Sequence, residues 1–537
     1  MMKRCLAGLA ALVLLGLAGC AEMPQNESAS PTEESIADTE TQPETLPHSG
    51  YVLDGTLPVL RITTVSQEEN VMDFVTKPVN DYVARSIASW TPGYKMPPAP
   101  YYESCTVTLT DTDSSVPLNG VSAQVKVRGN WTTSYDKKPL RLKFTETQNL
   151  LGLNEGAKMK NWVLLAEYKD ASMLRDKTAL AIAREILAPH GLYAADAAFV
   201  EVEINGQYWG VYLLTEQQQI NIDRVDITEA AAGYTGTDIG YFMEFDGYYT
   251  NEEPLQQFEM TYADNAPLIP FDGGNSGKPI KPLAEGRRDP KQNVGISIKS
   301  DIYSQEQHDF IAAYTNNVYT ILYEAAYNDS AWQFNADYTE IAPAEGLTPQ
   351  QAVEQVLDVQ SLADMYIISE LTCDADIYWS SFFMSADFGA AGSRKLTFEA
   401  PWDFDSAMGN KDRCANGEGF YAANTLYDVN DVYKTINPWL AVLMHEDWFQ
   451  NCIRDTWTEA YDAGVFDRAF AMIDADTAEY QAAFARSEQR WDNIRRNTAA
   501  SEWSRGAARC RTHEETAAYL KDWLQKRVAF LNEAWHR

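Results

Sequence analysis

The chain has 537 residues, with 77 Asp and Glu against 43 Lys and Arg, which gives a formal net charge of -34. Hydrophobic residues make up 45% of the sequence, enough for a buried core, so a wholly disordered chain is excluded. The length suggests two or three packed units. The deficit of Lys and Arg argues against a nucleic-acid partner, because contacts to phosphates need a surplus of positive charge.

The first twenty residues have the pattern of an export signal. Two basic residues at positions 3 and 4 precede an apolar stretch over 6–17, which is too short to span a bilayer. The sequence Leu-Ala-Gly-Cys at 17–20 resembles the lipobox of bacterial lipoproteins, which implies cleavage before Cys20 and lipidation of its thiol. An ordinary signal peptide with an incidental cysteine is the alternative. We therefore expect an exported protein that is anchored by lipid to the outer face of the bacterial cell membrane.

Residues 21–50 have the composition of a tether. They contain seven acidic residues and no Lys or Arg, and the remainder is rich in Ser, Thr and Pro. Such a stretch cannot bury enough apolar area to offset the entropy lost on ordering. We expect a disordered acidic segment that holds the folded part away from the membrane.

The cysteines and histidines show no metal-binding spacing. Beyond Cys20, the cysteines are widely scattered without a CxxC pair, and the six histidines form no HExxH motif, so a zinc site is unsupported. An odd number of cysteines allows at most two disulfides within one chain. The five positions are Cys105, Cys373, Cys414, Cys452 and Cys510.

The folded region begins with the alternating pattern of half-buried strands. Leu140, Leu142 and Phe144 fall on one face of a segment whose other face carries Arg141 and Lys143. Related patterns predict four further strands. These cover residues 57–62, 105–109, 121–128 and 162–165.

A helix and a hairpin follow these strands. Asp170 or Ser172 can cap the helix, and apolar residues recur from Ala179 at i, i+3 and i+7. The hairpin is centred on Asn205 and Gly206, a pair that favours a type I′ turn.

The second half of the chain is mostly helical by its patterning. Residues 246–300 are polar and rich in Gly, Pro and Asn, and we interpret them as a long insertion or lid loop. The fold class is therefore α+β and two-lobed, with a β-rich N-terminal lobe over 51–217 and a helical C-terminal lobe over 218–537. The predicted helices cover 305–327, 350–372, 438–462, 467–496 and a last segment whose apolar stripe runs from 520 to 535, with a short strand pair near 380–400.

A two-lobed layout of this kind is typical of phosphotransferases, which need a cation for the nucleotide phosphates, carboxylates for Mg²⁺ and a group beside the acceptor hydroxyl. Lys143 is a candidate for the cation, although a solvated strand lysine would show the same pattern. Asp403 and Asp405 project to one side of an extended segment and can share a Mg²⁺. Acid pairs at this spacing are also common on surface turns.

Three acidic residues lie at the end of the helix predicted over 350–372. Glu370, Asp374 and Asp376 oppose the helix macrodipole there, which costs stability unless a charge compensates. A nearby cation or a catalytic role would explain them. The alternative for Asp374 is that it caps a turn.

These segments resemble, in kind and order, the motifs of the spore-coat CotH kinase family. The resemblance extends from about residue 55 to the C-terminus and is firmest over 121–216 and 360–410. It implies an atypical protein-kinase-like fold that transfers phosphate from ATP, with Mg²⁺, to Ser/Thr of secreted or cell-surface proteins. The matching positions are 128–130, 138–143, 162–165, 174–176, 202–216, 376 and 401–405.

The resemblance also implies catalytic roles for individual residues. Lys143 would contact the α- and β-phosphates, and Asp376 would lie beside the acceptor hydroxyl as base or orienting group. Asp403, with Asp405 nearby, would hold Mg²⁺.

Four further residues receive nucleotide-binding roles from the same resemblance. Gly129 and Asn130 would lie in the loop over the phosphates. Glu185 is a possible ion-pair partner of Lys143, and Glu216 would mark the hinge near adenine.

The sequence departs from ordinary protein kinases, since it has no GxGxxG loop, no HRDxxxxN and no DFG. A catalytically inactive surface binding or adhesion protein on the same fold is therefore an alternative. A carbohydrate-active protein is another, because fourteen Trp residues and many acids would suit sugar stacking and paired-carboxylate hydrolysis. Core packing is the simpler explanation for the Trp residues within or beside strand motifs. These are Trp131, Trp162, Trp209 and Trp402.

Overall fold

A computed structural model of the chain describes the greater part of its folded region. The predicted signal peptide, Cys20, most of the predicted tether, Asn130 and Cys414 lie outside the described residues. No helix in the described part is both long enough and apolar enough to cross a bilayer. The described ranges are 50–65, 102–110, 117–129, 131–271, 278–283, 294–411, 416–425 and 436–537.

Seven strands of the first half close into a barrel. They are β1 (Val59–Thr64), β2 (Glu103–Thr110), β3 (Leu118–Val127), β4 (Leu140–Gln148), β5 (Met159–Leu165), β6 (Ala197–Ile204) and β7 (Gln207–Glu216). Their order is β1-β2-β3-β4-β5-β7-β6, and parallel pairing of β1 with β6 closes the ring. The predicted alternation in β4 is confirmed, because Leu140, Leu142 and Phe144 are buried in the core that the barrel strands share.

The predicted hairpin is also confirmed. Asn205 and Gly206 have φ values of 49° and 74°, the left-handed conformation that a type I′ turn requires at both central positions. Ile204 lies opposite Gln207 at the start of the pairing between β6 and β7. The turn therefore sets the register of the two strands that close the barrel.

A five-stranded sheet and a two-stranded sheet follow in the second half. Their strands are β8 (Gly240–Asp246), β9 (Gln257–Phe258), β10 (Gly295–Ile298), β11 (Trp332–Phe334), β12 (Ile341–Pro343), β13 (Phe382–Asp387) and β14 (Leu396–Phe398). The larger sheet has the order β14-β13-β8-β10-β9. Residues 246–300 are therefore not one loop, as their composition suggested, because β10 is buried between β8 and β9.

The helical patterning is confirmed, with three of the predicted segments each divided into two helices. Asp358 separates one such pair, since its side chain caps the second helix by accepting from the Ser361 N–H at 3.1 Å. The right-handed α-helices of the described residues are α1 (Arg175–Leu187), α2 (Gln305–Asn328), α3 (Pro349–Val356), α4 (Val359–Thr372), α5 (Pro438–Ala441), α6 (Asp447–Asp462), α7 (Val465–Glu479), α8 (Gln481–Trp491) and α9 (His513–Trp535).

The start of α1 differs in detail from the sequence prediction. Leu174 occupies the N-cap position, and its side chain makes no capping bond. Asp170 nevertheless binds the first turn, because its carboxylate accepts from the N–H groups of Leu174 at 3.0 Å and Arg175 at 2.9 Å. The capping chemistry predicted for Asp170 is present, but it acts from five residues before the helix.

The described residues from 50 to 537 belong to one compact unit and contain two large apolar cores and a small third one. One core fills the barrel, and the larger one is formed by the second half together with α1 and the outer surface of β5, β6 and β7. The helix α1 thus packs with elements from far along the chain. The lobe boundary after residue 217 and the two-lobed arrangement stay predictions.

The acidic end of α4 is compensated by a cation. Arg527 of α9 donates from Nε to the Glu370 carbonyl oxygen at 3.0 Å and pairs with the Glu370 carboxylate. That carboxylate also accepts from the Ala422 N–H and the Tyr366 hydroxyl, each at 2.9 Å. Glu370 is therefore a structural residue, and the expected nearby cation is Arg527.

Candidate active site

A cavity of about 430 Å³ lies where the end of the barrel meets the second sheet. The loop between β3 and β4 and the chain just after β5 form one side of it, and the segments after α4 and β14 form another. Among the described residues its wall has nine acidic side chains and five basic ones. A polar, charged cavity of this composition suits a ligand that carries both phosphates and cations.

The structure brings Asp376, Asp403 and Asp405 together in this cavity. Asp405 is only 9% exposed, and its Oδ1 lies 3.6 Å from the Lys169 Nζ. Asp403 has a φ of 71°, a left-handed conformation that is uncommon for residues other than glycine and is found preferentially at functional sites. The predicted grouping of these three aspartates is present in the structure, while their roles stay predictions.

Asp403 and Asp405 have the raised pKa values that are typical of crowded, buried carboxyl groups. Burial raises the pKa of Asp403 well above its usual value, and the carboxylates of Asp405, Asp376 and Asp176 raise it further. Burial also raises the pKa of Asp405, although Lys169 opposes that shift. Like charges in a poorly solvated cavity repel one another, and a bound cation would relieve that repulsion.

The donor set fits a Mg²⁺ ion that is shared with a phosphate. Within the described ranges, no three His, Cys, Asp or Glu side chains are grouped so that they could hold a metal ion by themselves. Mg²⁺ is usually bound by one or two carboxylates, with water and substrate phosphates as the remaining ligands. Asp403 and Asp405 could supply those two carboxylates.

Two of the further carboxyl groups in the cavity, Glu167 and Asp176, received no role from the sequence, although Asp176 lies in the matching segment 174–176. Asp176 accepts from the Phe404 N–H at 2.7 Å, and burial together with Asp405 raises its pKa to about 7. Burial and the Asp176 charge raise the pKa of Glu167 well above its usual value. The sequence does contain a signal for Glu167. This charged residue follows the buried run at the end of β5, where a charged residue is unexpected.

Among the described residues the cavity lysines are Lys137, Lys169, Lys299 and Lys411. Lys143, the lysine expected to contact the phosphates, does not line the cavity. Lys143 is exposed in the middle of β4, whereas the cavity is formed where the strands end. The alternation of apolar and polar residues predicted that the Lys143 side chain lies on the face opposite the barrel core. It could not predict where that side chain lies relative to the cavity.

Lys137 and Lys169 approach the cavity from the loop before β4 and the chain after β5. The Lys137 Nζ donates to the Ala166 carbonyl oxygen at 2.7 Å, and burial lowers the pKa of Lys137 to about 7. Burial lowers the pKa of Lys169 as well, but Asp405 and neighbouring acids outweigh it and raise that pKa well above its usual value. Lys169 therefore stays charged beside Asp405.

The family described as CotH kinase protein matches residues 125–531, which is most of the chain. The chain belongs to the CotH kinase family. The matched range contains every cavity residue named above. Membership of the CotH family indicates a kinase-like protein. A search of curated proteins gives no match.

Two of the roles that the CotH resemblance implied are not supported by position. Glu185 is exposed on α1 and accepts from the Arg468 Nε at 3.0 Å, so Lys143 is not its partner. Glu216 is fully buried at the end of β7, where the Arg224 Nε lies 3.1 Å from its Oε1. Neither glutamate lines the cavity, and Glu216 stabilises the chain that leaves the barrel.

The CotH loop residue Gly129 does line the cavity. Its φ is 93°, and an added Cβ would lie 2.2 Å from the Thr132 Oγ1. Only glycine fits this backbone without displacement of Thr132. The position of Gly129 agrees with the expected loop, while Asn130 lies outside the described residues.

Gly129→Ala is expected to lower the thermal midpoint of the CotH protein. The left-handed backbone penalty for a residue with a Cβ is roughly 1–2 kcal/mol, and the contact with Thr132 adds to it. Gly152→Ala is the matched control, because Gly152 also has a positive φ but has nothing within 4 Å of an added Cβ. Equal losses in both variants would show that the close approach to Thr132 does not matter.

Proposed function

We propose that this CotH-family protein transfers the γ-phosphoryl group of ATP to a Ser or Thr hydroxyl of a secreted or cell-surface protein. The observation that carries the proposal is the convergence of Asp376, Asp403 and Asp405 with Lys169 in one cavity. These are the groups that phosphoryl transfer needs, because its catalysis consists mainly of positioning and charge stabilisation.

Each group has a role that follows from its chemistry. Asp403 and Asp405 would hold Mg²⁺, which supplies positive charge to the phosphates when it is bound. Lys137 and Lys169 take the place of Lys143 as candidate phosphate contacts. Asp376 accepts the proton of the acceptor hydroxyl while that oxygen bonds to the γ-phosphorus, and the bond from the γ-phosphorus to ADP breaks.

The carbohydrate-active alternative loses part of its support. Trp162, Trp209 and Trp402 are at least nine-tenths buried, as expected for core packing, so most of their ring surface is not open to a sugar. An inactive binding protein on the same fold differs from the proposed enzyme only in turnover. Activity therefore has to be measured directly.

The test is incubation of the full chain with labelled ATP, Mg²⁺ and a cell-surface protein extract. Label should enter acceptor proteins at Ser or Thr, and Asp376→Asn should reduce the rate by about 10²–10⁴-fold, the usual contribution of general base catalysis. Lys143→Met should retain the wild-type rate, because Lys143 is exposed outside the cavity. Nucleotide binding without transfer to any acceptor would favour the inactive binding protein.

We propose further that the protein is exported and held at the outer face of the membrane by lipid on Cys20, as the lipobox resemblance implies. Cys20→Ala is expected to release the protein into the medium or to leave it unprocessed, because no thiol remains to carry lipid. The measurement is fractionation of cells into membrane, soluble and medium fractions with a size check for cleavage. Normal cleavage with unchanged membrane retention would contradict the lipid anchor.

A further inference from the structure

Three basic side chains form a cationic row on the outer surface of the barrel, and the proposed phosphotransfer assigns them no part. Lys126 of β3 lies directly opposite Arg141 of β4. Both alternate with residues that fill the barrel core, so both project from its outer face. Arg128 follows two residues after Lys126, and its N–H donates to the Pro139 carbonyl oxygen at 3.0 Å, so the strand pairing continues to this point. Arg128 lines the cavity, which places one end of the cationic row at the candidate active site.

Among the described residues, no carboxylate forms an ion pair with any of the three side chains in the cationic row. Their contacts are with uncharged groups. The Lys126 Nζ lies 5.0 Å from the centre of the Tyr102 ring, and the centre of the Arg128 guanidinium lies 5.4 Å from that of the Trp402 ring. Arg141 donates from Nη2 to an amide oxygen of β5 at 3.1 Å, while its Nε makes no hydrogen bond within the described part of the chain.

Acidic residues are abundant elsewhere in the chain, which has 77 Asp and Glu against 43 Lys and Arg. Lys299 of the cavity, for example, lies 2.8 Å from a Glu244 carboxylate oxygen. Like charges that face each other on paired strands destabilise a sheet. Burial and the charges of Arg141 and Arg128 also lower the pKa of Lys126 to about 8. The cationic row therefore costs stability in the free protein, and a bound anion would relieve that cost.

We propose that the cationic row binds an acidic segment of the acceptor protein, beside the Ser or Thr that receives the phosphoryl group. The assignment of this segment to an acceptor rests on the proposed function. Charge complementarity identifies the occupant, because guanidinium and ammonium groups form their strongest hydrogen bonds with anionic oxygens. Acidic residues at alternate positions of an extended segment lie about 7 Å apart, which matches the spacing of Lys126 and Arg128 along the chain. Such a segment would lead directly into the cavity.

The test is the binding of two fluorescently labelled peptides to the full chain, without ATP, measured by fluorescence anisotropy. Each peptide contains one Ser, which is flanked by Asp and Glu in the first peptide and by Asn and Gln in the second. The wild type should bind the acidic peptide roughly tenfold more tightly, the combined effect of a few partly exposed charge pairs. Added salt should reduce this preference, because it screens those pairs.

The double variant Lys126→Gln/Arg141→Gln should lose most of the preference for the acidic peptide, and Lys126→Gln alone should lose part of it. Lys143→Gln is the matched control and should keep the preference, because Lys143 lies on the same face of β4 but opposite the neutral Gln124. Thermal unfolding without peptide checks that each variant is folded. Removal of facing like charges should not lower the midpoint.

Equal affinities of the wild type for the two peptides, including no binding of either, would overturn the proposal. A preference that persists in the double variant would also overturn it, and a simultaneous loss of affinity for an ATP analogue would then assign the cationic row to the nucleotide. Peptide binding requires no transfer, so failure of phosphotransfer leaves this result unchanged. Equal transfer to both peptides would leave the proposed function standing without this inference.

Discussion

Arg527→Met is expected to lower the free energy of unfolding by about 3–5 kcal/mol, the cost of leaving a buried charge without its partner. Both side chains of the pair that it forms with Glu370 are fully buried. The change also removes the hydrogen bonds from Arg527 to the carbonyl oxygens of Gly417 and Glu370. The α4 C-terminus would then keep a carboxylate that opposes its macrodipole without the cation that now compensates it.

The control is the double variant Glu370→Gln/Arg527→Met, measured with both single variants by chemical denaturation. The amide introduced by Glu370→Gln would keep an oxygen for the Ala422 N–H while removing the buried charge. The double variant should therefore be more stable than Arg527→Met alone. A double variant that is less stable than Arg527→Met would show that the hydrogen bonds of Arg527, and not its charge, dominate the stability.

The sequence was most informative where a short segment decides the structure. The Asn205–Gly206 turn and the apolar stripe of α9 are local patterns, and both elements form as predicted. The partner of Glu370 could not be named in the same way, because Arg527 lies 157 positions further along the chain. The pairing of β1 with β6 is likewise a long-range event that no local pattern encodes.

The candidate site likewise contains residues that a local pattern predicted and residues that only the fold brings together. Asp403 and Asp405 were found because two residues in an extended segment necessarily project together. Lys143 was misplaced because alternation shows which side of a strand is polar but not which end of a barrel meets the cavity. Glu167 was missed, and Asp176 was matched only as part of 174–176 without a role, because each belongs to a different element and only the fold brings them into one cavity.

Asp403→Asn is expected to leave the thermal midpoint unchanged or slightly higher without metal, and to abolish the stabilisation that Mg²⁺ with a non-hydrolysable ATP analogue gives the wild type. The change removes one of several crowded carboxyl charges, whose repulsion raises the pKa of Asp403. Asparagine also tolerates the left-handed backbone at φ 71°. Phosphotransfer should fall on the order of 10²–10³-fold, the effect of removing one preorganised electrostatic group.

A matched structural carboxylate distinguishes this result from simple damage to the fold. Asp364 is fully buried, its Oδ2 lies 2.7 Å from the His190 Nδ1, and it lies outside the cavity. Asp364→Asn should lower the midpoint, because a charge-assisted hydrogen bond worth about 1–3 kcal/mol is weakened, and it should keep the nucleotide response. If Asp403→Asn behaves like Asp364→Asn, Asp403 is structural. The inactive binding protein would then explain the cavity better than the kinase-like enzyme.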